Sequence, residues 1–365
     1  MTDDDGNEWK VITKNDKKCI GGSGRRTNRG RRGRAKQQQH LYAVAHGDSS
    51  GSTEQSKLSV VQIIQIITNC KKQLEKSHFW INLKDKLLLL DDDDDAEQQQ
   101  DDDGTSEHRQ HQSRRHRRRQ VKEIVCYGIG NFITTTSSPS YSAPLWQLAC
   151  ALLIRDIFST YQYKQQQHQQ EQQQQQHVDD DVMMIETYYY DPCMTNEEAD
   201  VLEMLHIKII PINERGKRVM DSKNNLNSSG ASTSTTFFFM PHCPMNLYTN
   251  LLYTNWYNLN QVIMFGNNLV SYTNRLESKP STGVQILKLL LPYIEQHEII
   301  LSKEDVNNAA NGGYFENAFN DSCIISFTSS GTVGDSDDDK RKCWPTKPIF
   351  DEQDVEEDSN NQEVL

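Results

Sequence analysis

Between residues 121 and 328, short apolar runs alternate with amphipathic stretches, and nearly every run stops at small or polar residues. The string Glu123-Ile124-Val125-Cys126-Tyr127 ends in Gly128-Ile129-Gly130-Asn131. After a Ser/Thr/Pro loop, residues 143–158 place Leu145, Leu148, Ala149, Leu152 and Leu153 on one helical face. A second expected strand, 182–190, is closed by Asp191-Pro192. Thr195, with Glu198 three residues on, predicts a capping box for a helix through Leu205. Further strands are expected at 207–212, 237–240, 261–265 and 322–327, with helices at 245–253 and 283–297. Short buried strands alternating with helices predict a mostly parallel sheet covered on both faces, joined by right-handed crossovers. The expectation is a Rossmann-like, three-layer α/β domain over 121–328. The direction of the last strand stays open, an antiparallel edge being one solution.

Composition limits how much else can fold. Only 35% of residues are hydrophobic and the mean hydropathy is −0.77. Low-complexity segments flanking the domain are therefore expected to be disordered. Residues 1–56 are polar, with an Arg/Gly stretch and a short Gln run. Leu58, Val61, Ile64, Ile67 and Leu74, continuing to Phe79 and Trp80, fit an amphipathic helical segment over 57–90. Such a face needs a partner surface, so the segment is either docked on the domain or loosely tethered. Residues 91–120 read as a charged linker and 329–365 as an acidic tail. Within the domain, a Gln/His run and a Ser/Asn-rich tract mark insertions at about 163–180 and 221–235.

The formal net charge of −12 argues against nucleic-acid binding as a general activity. The Arg/Gly stretch and the basic run at 114–119 could contact RNA or act as nuclear-import patches, but they have no interleaved aromatics for base stacking and fit a solvated basic segment better. Eight cysteines are scattered without CxxC spacing, several inside apolar runs, which suits reduced thiols. The opening MTDDDGNEWK has no apolar core for a signal peptide, and no apolar run approaches a membrane span. A soluble, cytoplasmic protein, with a nuclear pool allowed, is expected, with protein partners and no membrane.

In an open parallel sheet, ligands bind outside the carboxyl ends of the strands, near the point where strand order reverses. The expected tips are Gly128 to Asn131, Asp191, Asn213-Glu214, His242-Cys243 and Gly266-Asn267-Asn268. This polar rim is the candidate small-molecule site. Gly128, Gly130 and Asn131 could let a ligand approach the backbone, and Asp191 could accept bonds from a ribose. The third glycine of a dinucleotide fingerprint is missing, so an ordinary tight turn explains the pair as well. His242 could serve as acid or base, and Cys243 as thiolate or soft ligand, with Cys193 as a third ligand candidate. A structural histidine beside a buried cysteine competes with that reading. Asn250, Asn255 and Trp256 fit capping and packing as well as recognition.

Together these strings resemble a known family. Ile124 to Phe132, Tyr190-Asp191-Pro192, Phe239-Met240-Pro241-His242-Cys243, Leu251-Leu252 with Asn255-Trp256, Phe265-Gly266-Asn267-Asn268, Leu291-Pro292-Tyr293 and Ala318 to Ser322 are similar, in order, to blocks of the sensitivity-to-red-light-reduced (SRR-like) domain. Ser77-His78-Phe79-Trp80 resembles the family's N-terminal region, and Asn268 stands where the family is expected to carry Ser. The resemblance implies regulation: light signalling and circadian timing in plants, haem-synthesis control and clock-gene expression in animals, and microtubule-related phenotypes in fungi. It implies no reaction and no catalytic residues.

The preferred expectation is therefore a regulatory protein. One alternative is a Rossmann-like group-transfer enzyme using S-adenosylmethionine or a nucleotide. There Gly128, Gly130, Asn131 and Asp191 would hold the cofactor, while His242 and Asn267 face the substrate. Another is a haem- or metal-sensing module using His242, Cys243 and Cys193.

Overall fold

The computed structural model describes residues 58–89, 120–133, 142–173, 184–220, 234–276, 281–307, 314–327 and 344–350. The expected tail 1–56, the linker 91–119 and most of the 221–235 and 329–365 segments lie outside the described residues. Seven strands form one sheet: β1 (Gln120–Tyr127), β2 (Glu186–Tyr190), β3 (Lys208–Ile209), β4 (Ser234–Met240), β5 (Val262–Asn267), β6 (Ile294–Glu298) and β7 (Ser322–Phe327). Their order is β3-β2-β1-β4-β5-β7-β6. The first five run parallel, and β7 is antiparallel to both of its neighbours. The mostly parallel three-layer fold is thus as expected. The last strand is indeed antiparallel, yet it lies inside the sheet, because β6 takes the edge.

β6 corrects the expectation of one helix over 283–297. The helix α7 (Thr282–Leu290) ends where Pro292 enters a 3-10 turn, Leu291–Tyr293. Proline lacks the N–H that an α-helix needs and clashes with its preceding turn. The chain then extends as Ile294–Glu298, a half-exposed strand whose polar residues hid it.

Successive strand residues point to opposite faces, and two cores result. On one face Ile124, Cys126, Phe237, Phe239, Ile263 and Phe265 pack under α1 (Val60–Leu74), α2 (His78–Leu89), α3 (Ala143–Gln173), α4 (Asn196–Met204) and α9 (Tyr314–Phe319). On the other, Val125, Tyr127, Phe238, Met240 and Met264 pack under α5 (Met245–Thr254), α6 (Leu269–Arg275) and α7. Trp344 and Phe350, within the expected acidic tail, pack against this second core.

The N-terminal helical segment is docked, as two helices. Its buried stripe is Ile63, Ile67, Cys70 and Leu74; Val61, expected to face the partner, is exposed. Ser77 breaks the helix by donating to the Leu74 carbonyl (2.6 Å) and accepting from the Trp80 N–H (3.1 Å). The buried Asp305 carboxylate, on α8 (Lys303–Asn307), accepts from the His78 and Phe79 N–H groups at 3.2 and 2.9 Å. A carboxylate at a helix N-terminus satisfies its orphan donors and complements its dipole. α3 also runs further than expected, to Gln173, so the first part of the Gln run is helical. Glutamine is a fair helix former, and nothing in that run breaks the backbone pattern.

Candidate functional site

Strand order reverses between β1 and β4, so the crevice expected for ligands lies between their carboxyl tips. Two loops meet there. Gly128 and Gly130 follow β1 with φ of 65° and 86°, a left-handed region that glycine enters without steric cost. After β4, the turn Pro241-His242-Cys243-Pro244 carries His242 at φ 54°. A Cβ on Gly128 would sit 2.8 Å from Cys243 Sγ, and one on Gly130 3.6 Å from Pro144 Cγ. The glycine loop is therefore wedged between the β4 turn and the first turn of α3.

Asp191, at the tip of β2, ties this loop down. One carboxylate oxygen accepts from the Gly130 N–H (2.7 Å) and the other from the Cys193 N–H (2.8 Å). Glu198 repeats the arrangement deeper inside. Its Oε2 closes the expected capping box with the Thr195 N–H (2.8 Å), while Oε1 accepts from the Phe132 and Ile133 N–H groups. The capping box was legible in the sequence; the second task of the same carboxylate was not.

Asn267, at the tip of β5, holds the β4 turn. Its Oδ1 accepts from the His242 N–H (2.7 Å) and its Nδ2 donates to Tyr272 Oη (2.9 Å). Tyr272 donates in turn to the Cys243 carbonyl (2.8 Å), and Tyr248 donates to the Met240 carbonyl while accepting from the Asn267 N–H (3.0 Å). This buried network fixes a left-handed histidine that would otherwise be strained. Asn268 caps α6 through the Ser271 N–H (2.8 Å), as a serine there would, and also reaches Glu298 of β6 (2.7 Å).

The reactive candidates have structural partners. The His242 Nε2 lies 3.1 Å from the Ala318 carbonyl, which only accepts, so Nε2 carries the proton. Gln147, on the second turn of α3, donates to the same carbonyl (3.0 Å). Desolvation of the imidazole lowers its pKa, offset in part by the Ala318 and Asn317 backbone and by Asp321. The Cys243 Sγ is buried and points at the Tyr127 carbonyl (3.3 Å), and burial pushes its thiol well up. A thiol held protonated is a poor nucleophile and a poor metal ligand. Cys193 is exposed. Among the described residues, no three His, Cys, Asp or Glu side chains are grouped to hold a metal ion. His242, Cys243 and Cys193 are thus not assembled into a ligand set, whereas Gly128, Gly130, Asp191, His242 and Asn267 do share one edge.

Three polar atoms around the first turn of α3 are buried without a hydrogen-bond partner: Asn131 Oδ1, Ser142 Oγ and Trp146 Nε1. Each such group costs about 1–3 kcal/mol if nothing satisfies it. Ser142 and Trp146 were not singled out from the sequence, where a serine in a Ser/Thr loop and a tryptophan on an apolar helix carry no distinguishing signal.

The SRR1 domain model matches residues 70–326. It therefore begins within α1, so the N-terminal helices belong to the same unit as the sheet. The chain is 28% identical over 156 residues to Protein SENSITIVITY TO RED LIGHT REDUCED 1 of Arabidopsis thaliana, covering 42% of each chain. It is 33% identical over 109 residues to the SRR1-like protein of Mus musculus, covering 29% of this chain and 37% of the mouse protein. The chain thus matches less than half the length of either relative. No solved structure matches it. Among the described residues, no helix is long and apolar enough to cross a membrane. With a family model covering more than half of the chain, the chain belongs to the SRR1-domain family.

Proposed function

We propose that this chain is an intracellular regulatory protein, acting in signalling or metabolic control through binding partners rather than through catalysis. The observation that carries this reading is the commitment of the rim side chains to internal bonds. Both Asp191 oxygens accept backbone N–H groups, Asn267 is spent on the β4 turn, and Cys243 is a buried protonated thiol. His242 stays exposed, with its Nε2 held by the Ala318 carbonyl; a catalytic rim would set further free groups beside it within reach of a substrate. The Arabidopsis relative's name ties it to red-light sensitivity, which supports a light-response or circadian role; control of haem biosynthesis is the other pathway the family likeness suggests. The cytoplasm, with a nuclear pool, is the proposed location. The test is a panel of S-adenosylmethionine, nucleotides and haem added to the full chain while its thermal midpoint is followed. The regulatory reading predicts no shift with any of them, and a shift with one overturns it.

A second reading has specific support. The strand order reverses between β1 and β4, the place where Rossmann-like folds seat a ligand, a likeness of fold and not of chemistry. Asn131, on the glycine loop, and Ser142 and Trp146, at the start of α3, add polar atoms in want of a partner. A group-transfer enzyme would seat its cofactor there, against Gly128 and Gly130, with His242 on the substrate side. Saturation at a hundred times the dissociation constant would then stabilise the fold by about 2.7 kcal/mol.

A further inference from the structure

We propose that Tyr253, Trp256 and Tyr293 form a docking groove for a proline-rich peptide, held in this chain by its own residues 344–350 and open to a partner's proline-rich segment when they leave. The inference goes beyond the regulatory reading and stands whether or not the rim binds a ligand. The groove lies at the far end of α5 from His242, the helix spanning Met245–Thr254.

Residues 344–350 read Trp-Pro-Thr-Lys-Pro-Ile-Phe and lie in neither helix nor strand. Pro345 and Pro348 have no N–H to offer, so their carbonyls are what a recognising surface can bind. The Trp256 indole N–H donates to the Pro345 carbonyl and the Tyr253 hydroxyl to the Pro348 carbonyl, both at 2.8 Å. The two acceptors lie three positions apart in the chain, with Thr346 and Lys347 between them. A polyproline helix has three residues per turn, so carbonyls at that spacing face the same way. Aromatic side chains that present N–H and O–H donors along a shallow groove are the means by which PxxP segments are recognised.

The remaining contacts fit the same mode. The Lys347 ammonium sits 4.1 Å from the centre of the Tyr253 ring. The Trp344 ring packs 4.9 Å from that of Tyr293, and Phe350 5.9 Å from that of Tyr253. The peptide therefore needs an aromatic residue before the first proline, a cation between the prolines and an aromatic residue after the second.

Two features mark the segment as replaceable. Ile349 is 96% exposed and Trp344 and Phe350 are only partly buried, so the segment lies along the surface of the second core. Trp344 Nε1 is buried without a partner, a cost that another occupant need not carry. The SRR1 domain model also covers the groove residues and stops at 326, before the segment that fills them.

The test uses the full chain and a fluorescein-labelled peptide reproducing residues 344–350, with binding read by anisotropy. Trp344→Ala/Phe350→Ala in the protein loosens the resident segment. The peptide should bind this variant at least about tenfold more tightly than the unaltered chain, a step of about 1.4 kcal/mol. Adding Tyr253→Phe/Trp256→Phe removes both donors, keeps aromatic rings in place, and should reverse that gain. A control peptide with both prolines replaced by alanine should bind at least about tenfold more weakly. Equal affinity for the unaltered and loosened chains, no binding to either, or indifference to the donors or the prolines would overturn the proposal. Should the loosened variant fail to fold, hydrogen exchange in the unaltered chain decides. Excess unlabelled peptide should speed exchange at Thr346, Lys347, Ile349 and Phe350, and unchanged exchange there would contradict the inference.

Discussion

Gly128 and Cys243 lock the two halves of the rim together: a Cβ on the glycine would come within 2.8 Å of the cysteine sulfur. Gly128 also has a positive φ of 65°, so Gly128→Ala meets both a clash and backbone strain. It should cost about 1–3 kcal/mol, read as a lower urea midpoint with unchanged slope. Cys243→Ala removes the obstructing sulfur, so Gly128→Ala/Cys243→Ala should be less destabilised than the sum of its single changes. Strict additivity would mean that the two loops do not press on each other.

Phe79 joins the N-terminal helices to the sheet. Fully buried, it stacks on Phe319 at 4.3 Å and meets Phe315 and Phe265 edge-on. Phe79→Ala should cost about 3–5 kcal/mol, and chemical denaturation of the full chain should remain a single transition. A near-neutral change would show that the segment is only tethered.

His242 makes the fold sensitive to mild acid. His242 keeps solvent exposure at the rim, yet desolvation by the atoms packed around its ring holds its pKa below the ordinary value of 6.5, so the folded chain binds fewer protons than the unfolded chain between those two values. This contribution to stability is complete above about pH 6.5 and is lost as pH falls through the lowered pKa. His242→Asn tolerates the left-handed backbone and does not titrate, so it should flatten this part of the curve. Thermal midpoints of both proteins from pH 7.5 to 5 would check this, and parallel curves would contradict it.

The six described cysteines are all thiols, and only Cys193 is exposed. Burial pushes Cys70, Cys126 and Cys323 up to about 12. Iodoacetamide at pH 8 should therefore modify Cys193 first among the described cysteines, by peptide mass mapping, and reach the others only on unfolding. Early labelling of Cys243 would argue against its buried, structural role.

The buried parallel strands were the legible part of this fold. Ile124-Val125-Cys126 and Phe237-Phe238-Phe239 face apolar helices on both sides and so read as unbroken apolar runs. β6 carries Glu295, Gln296 and His297 at a half-exposed edge, and only Pro292 hinted that the preceding helix had stopped. The break at Ser77 had no glycine or proline to announce it, since a hydroxyl and the distant Asp305 do the capping. At the rim, the gathering of Gly130, Asp191, His242 and Asn267 followed from strand direction. Their partners did not follow, because Asp191 and Asn267 bind backbone N–H groups, which every non-proline residue carries. Trp344 and Phe350 were missed within the stretch read as an acidic tail, because the charge of their surroundings hid two apolar residues that pack on the second core.

The most direct measurement is the thermal midpoint of the full chain with and without saturating S-adenosylmethionine. A rim whose side chains are occupied by the protein's own backbone predicts an unchanged midpoint. A rise of several degrees, abolished by Asn131→Ala, would place a cofactor at the first turn of α3 and contradict a purely regulatory chain.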